Sequence, residues 1–151
     1  MTGAITVGMA WMALSALLVW PHGLCYTNEL WGGTSKGYLW LSDSNYDWGQ
    51  GLVDLDRWRQ DHGLAQIDVW HYGLDPARER PPFHSVPLQQ VAVQTPQDIG
   101  ALLDSEYLAV GTTLLYGGWD HEPLRRTTEL LRSMQPIGRT MTHFIYAFPK
   151  P

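Results

Sequence analysis

The chain has 151 residues, a formal charge of −5 and 17% charged residues, enough for one compact domain with an ordinary core. The acidic balance excludes a nucleic-acid binder, which needs a basic stripe to neutralise phosphates. A single cysteine, Cys25, excludes an internal disulfide and a cysteine-based zinc cluster.

No Asp, Glu, Lys or Arg occurs from Met1 to Asn28. Within that stretch Ala4 to Trp20 reads AITVGMAWMALSALLVW, interrupted only by Thr6, Gly8 and Ser15. At about 1.5 Å per residue it reaches roughly 25 Å, the short end of a bilayer core. Residues 1–24 are therefore expected to form a transmembrane helix in membrane lipid, stopped by Pro21, with Trp20 and Tyr26 in the aromatic belt. A signal peptide would carry a basic leading region and a small-x-small cleavage site, and neither is present; a buried core helix is the remaining alternative. No basic residue precedes the segment, so the positive-inside rule assigns no orientation. Its small residues suit packing against other transmembrane helices. Eight Trp and seven Tyr are many for this length. Such rings suit membrane interfaces and sugar-like surfaces, although the core is the ordinary place for any one of them.

Residues 25–36 read as a linker at the membrane surface, and residues 37–151 as a small α/β domain with a largely parallel sheet. GYLWLS (37–42) is short and apolar enough for a strand. Leu52, Leu55 and Trp58 recur at helical spacing, with Gly63 as the stop after His62. IDVWHY (67–72) alternates as a second strand. Residues 73–88 carry Pro76, Pro81, Pro82 and Pro87 and read as irregular. Val91–Val93 is expected to be a short strand. Thr95 and Pro96 open a helix running to about Leu103. Tyr107–Tyr116 reads as one strand, Leu124 to Met134 as a helix, and Ile137–Phe148 as a closing strand.

The loop between the first expected strand and helix holds Asp43, Asn45, Asp47, Trp48 and Gln50. Asp43, Asn45, Asp47 and Asp54 match four ligand positions of an EF-hand, but Trp48 stands where the sharp turn needs Gly, and a strand is expected where that motif has a helix. No metal site is read from this pattern, and no cofactor is implied. A loop leaving a strand's carboxyl end for a helix N-terminus is where open α/β sheets bind ligands. Asp47 or Asn45 would cap the helix, Trp48 would fold over the sheet, and the remaining polar groups would face a ligand. These are also ordinary turn and cap residues. His62, His71, His84, His121 and His143 show no i, i+4 pair and no HExxH, and read as structural. Ser42, Ser44 and Ser105 lack a nucleophile elbow, and no nucleotide-binding glycine motif is present.

PHGLCYTNELWGG (21–33) and LSDSNYDWGQGLVDLDRW (41–58) resemble the end of a bacterial family of integral-membrane glycosyltransferases similar to the dolichyl-phosphate-mannose-protein mannosyltransferases. The matching residues are Pro21, His22, Tyr26, Asn28, Glu29, Gly32 and Gly33, then Asp43, Ser44, Asn45, Asp47, Trp48, Gly49 and Gln50. YLAVGTTLLYG (107–117) resembles a later strand of that family. Gly51 departs from it, since an acidic residue usually follows the Gln. The resemblance implies an extracytoplasmic C-terminal domain of a polyprenyl-phosphate-sugar-dependent transferase, with Asp43, Asn45, Asp47, Trp48 and Gln50 as ligand-binding residues. The catalytic carboxylate would lie in an earlier loop, so this chain is expected not to transfer sugar alone and to be a fragment or to work with other spans. The alternatives are a stand-alone membrane-tethered binding or accessory module, with or without a bound cation, and a purely structural domain packed on other spans.

Overall fold

The computed structural model describes residues 2–20, 22–41, 46–73 and 75–150. It begins with α1 (Thr2–Val19), an apolar helix of 18 residues without acidic or basic residues in its end turns. At 1.5 Å per residue it is about 27 Å long. It is long and apolar enough to cross a membrane, and Ser15 is its one buried residue among those described. With no polar face, it is not built to lie on a globular surface.

After α1 the chain makes short 3-10 turns at Gly23–Cys25, Glu29–Trp31 and Thr34–Leu39. The last of these replaces the strand expected at GYLWLS. Its backbone is satisfied locally, by Lys36 N to Gly33 O at 3.0 Å and Trp40 N to Gly37 O at 2.9 Å. Among the described residues it pairs with no strand. Gly37 has no room for a side chain, since a Cβ there would press on Thr27 and on the Cys25 carbonyl.

The domain proper runs α2 (Gly51–Asp61), β1 (Ile67–Trp70), β2 (Phe83–Ser85), α3 (Pro96–Gly100), β3 (Tyr107–Gly111), α4 (Thr112–Tyr116), α5 (Glu122–Ser133), β4 (Gly138–Arg139) and β5 (His143–Ala147). The five strands form one sheet in the order β2-β1-β3-β5-β4. β1 is parallel to β2 and β3, whereas β5 is antiparallel to both β3 and β4. The sheet is thus mixed rather than largely parallel. The physical reason is the Thr140–Thr142 connection, far too short for a crossover, which folds the expected single closing strand into a hairpin.

Both faces of the sheet are covered. On one, Leu52 and Leu55 of α2 pack on Ile67, Val69, Ala109 and Ile145. On the other, Trp70, Leu108, Val110 and Tyr146 meet Ile99, Leu114, Leu124 and Leu131 from α3, α4 and α5. The expected helix signals operate as read. Gly63 (φ +66) ends α2 in a Schellman pattern, with Gly63 N to Gln60 O at 3.0 Å and Leu64 N to Arg59 O at 3.1 Å. Thr95 and Asp98 form a full capping box on α3, although that helix ends at Gly100. Val91–Val93 is not a strand, and only its Val93 is buried.

Three of the eight tryptophans, Trp58, Trp70 and Trp119, pack in or against the core. The other five, Trp11, Trp20, Trp31, Trp40 and Trp48, are exposed, and all belong to the first third of the chain. The same partition predicts stability. For the full chain in detergent, Leu131→Ala (0% exposed) should cost about 2–5 kcal/mol of unfolding free energy in urea. Leu17→Ala on α1 (74% exposed) should leave the domain's midpoint unchanged.

Candidate functional site

β1 and β3 end side by side, at Trp70 and Gly111, and antiparallel β5 begins there, with His143 paired to Gly111. His71 leaves β1 at this edge, and α2 presents its N-terminus to it. Asp47 is held between them. Its Oδ1 accepts from Gly49 N at 2.9 Å and from Gly51 N at 3.3 Å, satisfying donors that a helix start leaves orphaned. Its Oδ2 lies 3.9 Å from His71 Nδ1. His71 Nδ1 in turn lies 3.1 Å from His143 Nε2, and His143 Nδ1 lies 3.0 Å from Thr142 Oγ1. Asp47, His71 and His143 are all buried.

Two close approaches lock this arrangement. Gly51 has no space for a Cβ, which would collide with Thr142 Oγ1 and come within 2.7 Å of Asp47 Oδ2. That is why glycine, not an acidic residue, can follow Gln50 here. Gly49, at φ +112, is pressed in the same way against Asp75.

The five residues read from the sequence separate. Asp43 and Asn45 lie outside the described residues. Asp47 joins the buried cluster and caps α2. Trp48 does not fold over the sheet but is 61% exposed. Gln50 braces the turn, its Oε1 accepting from Trp48 N at 2.8 Å and its Nε2 donating to Tyr46 O at 3.1 Å. Asp54 is engaged by His22 at 2.7 Å and by Arg57 at 3.1 Å, so it serves no EF-hand. The sequence reading missed His71 and His143. They lie 72 positions apart, and only their common place at strand ends could have paired them.

Burial pulls both imidazoles below the ordinary histidine value. For His71 the nearby Asp47 opposes this; for His143 the neighbouring His71 adds to it and Asp47 opposes it. Burial also pushes the Cys25 thiol up to about 12, with Asp47 adding to the effect. The thiol is inert and donates to Tyr46 O at 3.1 Å. Among the described residues, His22 Nδ1, Asp47 Oδ2, His71 Nε2, Thr112 Oγ1 and Thr113 Oγ1 are buried without a hydrogen-bond partner; such a group ordinarily costs about 1–3 kcal/mol. The three donor atoms of Asp47, His71 and His143 lie within 4.8 Å of one another, a spacing that can hold a metal ion.

A cleft of about 310 Å³ opens beside His71, lined also by Arg78, Glu79, Ser85, Gln89 and Gln90. A larger and more apolar cleft of about 600 Å³, at Leu103, Ala147 and Phe148, lies at the opposite edge of the sheet and shares no residue with the cluster. A second polar cluster is a strap. Asp68, fully buried, accepts from His84 Nδ1 at 2.5 Å, from Ser105 N at 2.6 Å and from Ser105 Oγ at 2.7 Å. Ser105 Oγ meets a carboxylate and the Tyr107 carbonyl rather than a histidine, so it is no activated nucleophile.

Compared with known protein families, curated proteins and solved structures, the chain matches none.

The buried imidazoles make stability depend on pH with a definite sign. Their folded-state values lie below 6.5, so the unfolded chain binds more protons once pH falls through about 6.5. Stability should therefore fall on acidification from pH 7.5 to 5, by up to about tenfold in the folding constant per pH unit for each histidine. Denaturant midpoints across that range should slope less in His71→Gln; a flat wild-type profile would contradict the assignment.

Proposed function

We propose that residues 37–151 form the extracytoplasmic C-terminal domain of a polyprenyl-phosphate-sugar-dependent glycosyltransferase, anchored by α1 and not catalytic by itself. In this reading the cleft beside His71 holds the polar sugar or phosphate head group close to the bilayer surface.

One observation carries it: the linker that leaves α1 packs onto the same edge that bears the Asp47 turn and the cleft. His22 reaches Asp54 in the first turn of α2, and Cys25 Sγ donates to Tyr46 O, next to Asp47. Tyr38 meets Tyr116 at a tilt and Phe144 edge-on, with ring centroids 4.7 and 5.5 Å away, near the start of β5. On this reading, with α1 crossing the bilayer, these contacts support a lipid interface at this edge. The exposed Trp20, Trp31, Trp40 and Trp48 are the side chains an interface retains, with apolar bodies and a polar N–H. A lipid-linked sugar presents the matching division, with its tail in the hydrocarbon and its head group in the polar layer. Arg78, Ser85, Gln89 and Gln90 provide donors and acceptors of the kind hydroxyl and phosphate groups need.

The test is hexose transfer from a polyprenyl-phosphate hexose in membranes carrying the transferase that includes this domain. Asp47→Asn, which keeps an acceptor for the turn, should lower kcat/KM at least about tenfold. Gln90→Ala should raise KM roughly fivefold, the equivalent of one hydrogen bond of about 1 kcal/mol. Unchanged turnover and KM in both variants, at wild-type protein levels, would refute the reading.

A further inference from the structure

We infer that Asp47, His71 and His143 bind a single divalent transition-metal ion of the zinc class, which ties the turn before α2 to β1 and β5. The three donors come from separate segments, and their convergence is the work of the fold. For four-coordinate zinc with bonds of about 2.0–2.1 Å, ligand atoms stand about 3.3 Å apart. Here Nδ1 of His71 is 3.1 Å from Nε2 of His143 and 3.9 Å from Oδ2 of Asp47, values that bracket this spacing.

Asp47 supplies the independent observation. One of its oxygens is saturated by two backbone N–H groups, while the other is buried, faces the histidine pair and accepts no hydrogen bond. Native proteins seldom leave a buried acceptor so placed, and a cation between it and the two imidazoles answers the need. His143 is also prepared on its far side. Thr142 Oγ1, 3.0 Å from Nδ1, can accept that N–H and fix the tautomer that turns a bare Nε2 toward the ion.

The donor set selects the metal class. Two imidazoles and one carboxylate suit zinc, cobalt, iron or nickel, whereas calcium and magnesium prefer all-oxygen shells. Three protein donors also leave one position of a four-coordinate ion for water or for an oxygen of a bound molecule. The cluster at Asp68, His84 and Asp104 does not compete, because both Asp68 oxygens already have partners, His84 is only half-buried and Asp104 is exposed.

The test uses the full chain in detergent, stripped with a chelator and titrated with Zn²⁺ or Co²⁺ alone, so it needs no transferase assay. One ion per chain should bind, with visible Co²⁺ absorption of a low-coordinate site and a Zn²⁺-dependent rise in melting temperature. His143→Gln and Asp47→Asn should each weaken binding at least about 100-fold. Thr142→Val, which keeps the side-chain shape, should weaken it about 10–100-fold. His84→Gln should leave it unchanged. If either ligand variant fails to fold, the wild-type Co²⁺ spectrum and Thr142→Val decide. No stoichiometric uptake by folded wild type, or loss of uptake in His84→Gln but not in Thr142→Val, would overturn the site and leave only a buried pair of neutral histidines.

Discussion

The two backbone hydrogen bonds accepted by Asp47 Oδ1 hold the rest of the strand edge in place. They fix the start of α2 by capturing the N–H groups of Gly49 and Gly51, and that helix supplies Leu52 and Leu55 as the cover for one face of the sheet. Because Gly51 sits hard against Thr142, the helix start also sets the first residues of β5. Thr142 then meets His143 Nδ1, and the imidazole is aimed. A single carboxyl group thus couples helix capping, sheet packing and the orientation of a buried ring. Few residues of the core could be replaced with more effect on the site than this one polar side chain.

The mixed character of the sheet has a direct consequence for chemistry. β1 and β3 are parallel, so both deliver their last residues to the same edge. β5 runs the other way, and its first residue therefore lies beside the end of β3. Had β5 been parallel, position 143 would have fallen at the far edge, beside Tyr107 and the apolar cleft. Open α/β sheets bind ligands beyond the carboxyl ends of their strands. Here an antiparallel return adds a side chain to that crevice, and the short Thr140–Thr142 turn makes the return obligatory.

Legibility followed locality. α1, the core face of α2, its glycine stop and the Thr95 cap all rest on residues a few positions apart, and their physics is complete within one turn. GYLWLS failed because an apolar aromatic run states only that its side chains avoid water. Tyr38 finds Tyr116 and Phe144, while Leu39 and Trp40 stay exposed. β2 was hidden by its flanking prolines, which an edge strand tolerates. Tyr107–Tyr116 read as one strand because Thr112 and Thr113 favour extended backbone. The described neighbours end at Trp70 and His143, however, so past Gly111 the chain has no ladder to join. Thr112 N takes one last bond, to Thr142 O at 2.8 Å, and the backbone closes on itself as α4. In the site, the Asp47 turn was legible because caps are local. The histidines were not, because their meeting depends on a strand order that periodicity does not encode.

The distribution of tryptophan joins the two ends of the molecule. A core ring such as Trp70 removes apolar area from water worth about 25 cal/mol per Å², and the exposed rings forgo that gain in aqueous solution. Trp31 and Trp40 meet edge-on at 5.2 Å, with Trp40 Nε1 donating to Trp31 O at 3.0 Å. Each is held by the other, and their faces remain uncovered by the domain. Such rings are stable where the surroundings are themselves half apolar. All the exposed tryptophans occur at or before residue 48, on α1, the linker and the turn beside Asp47. The exposed tryptophans are therefore continuous along the chain with the apolar helix, and the last of them, Trp48, adjoins Asp47 of the polar cluster. Trp48, the last of these rings, directly follows the carboxyl that holds the start of α2 and faces the histidine pair, so the exposed aromatic run and the buried polar cluster meet at one turn of the chain.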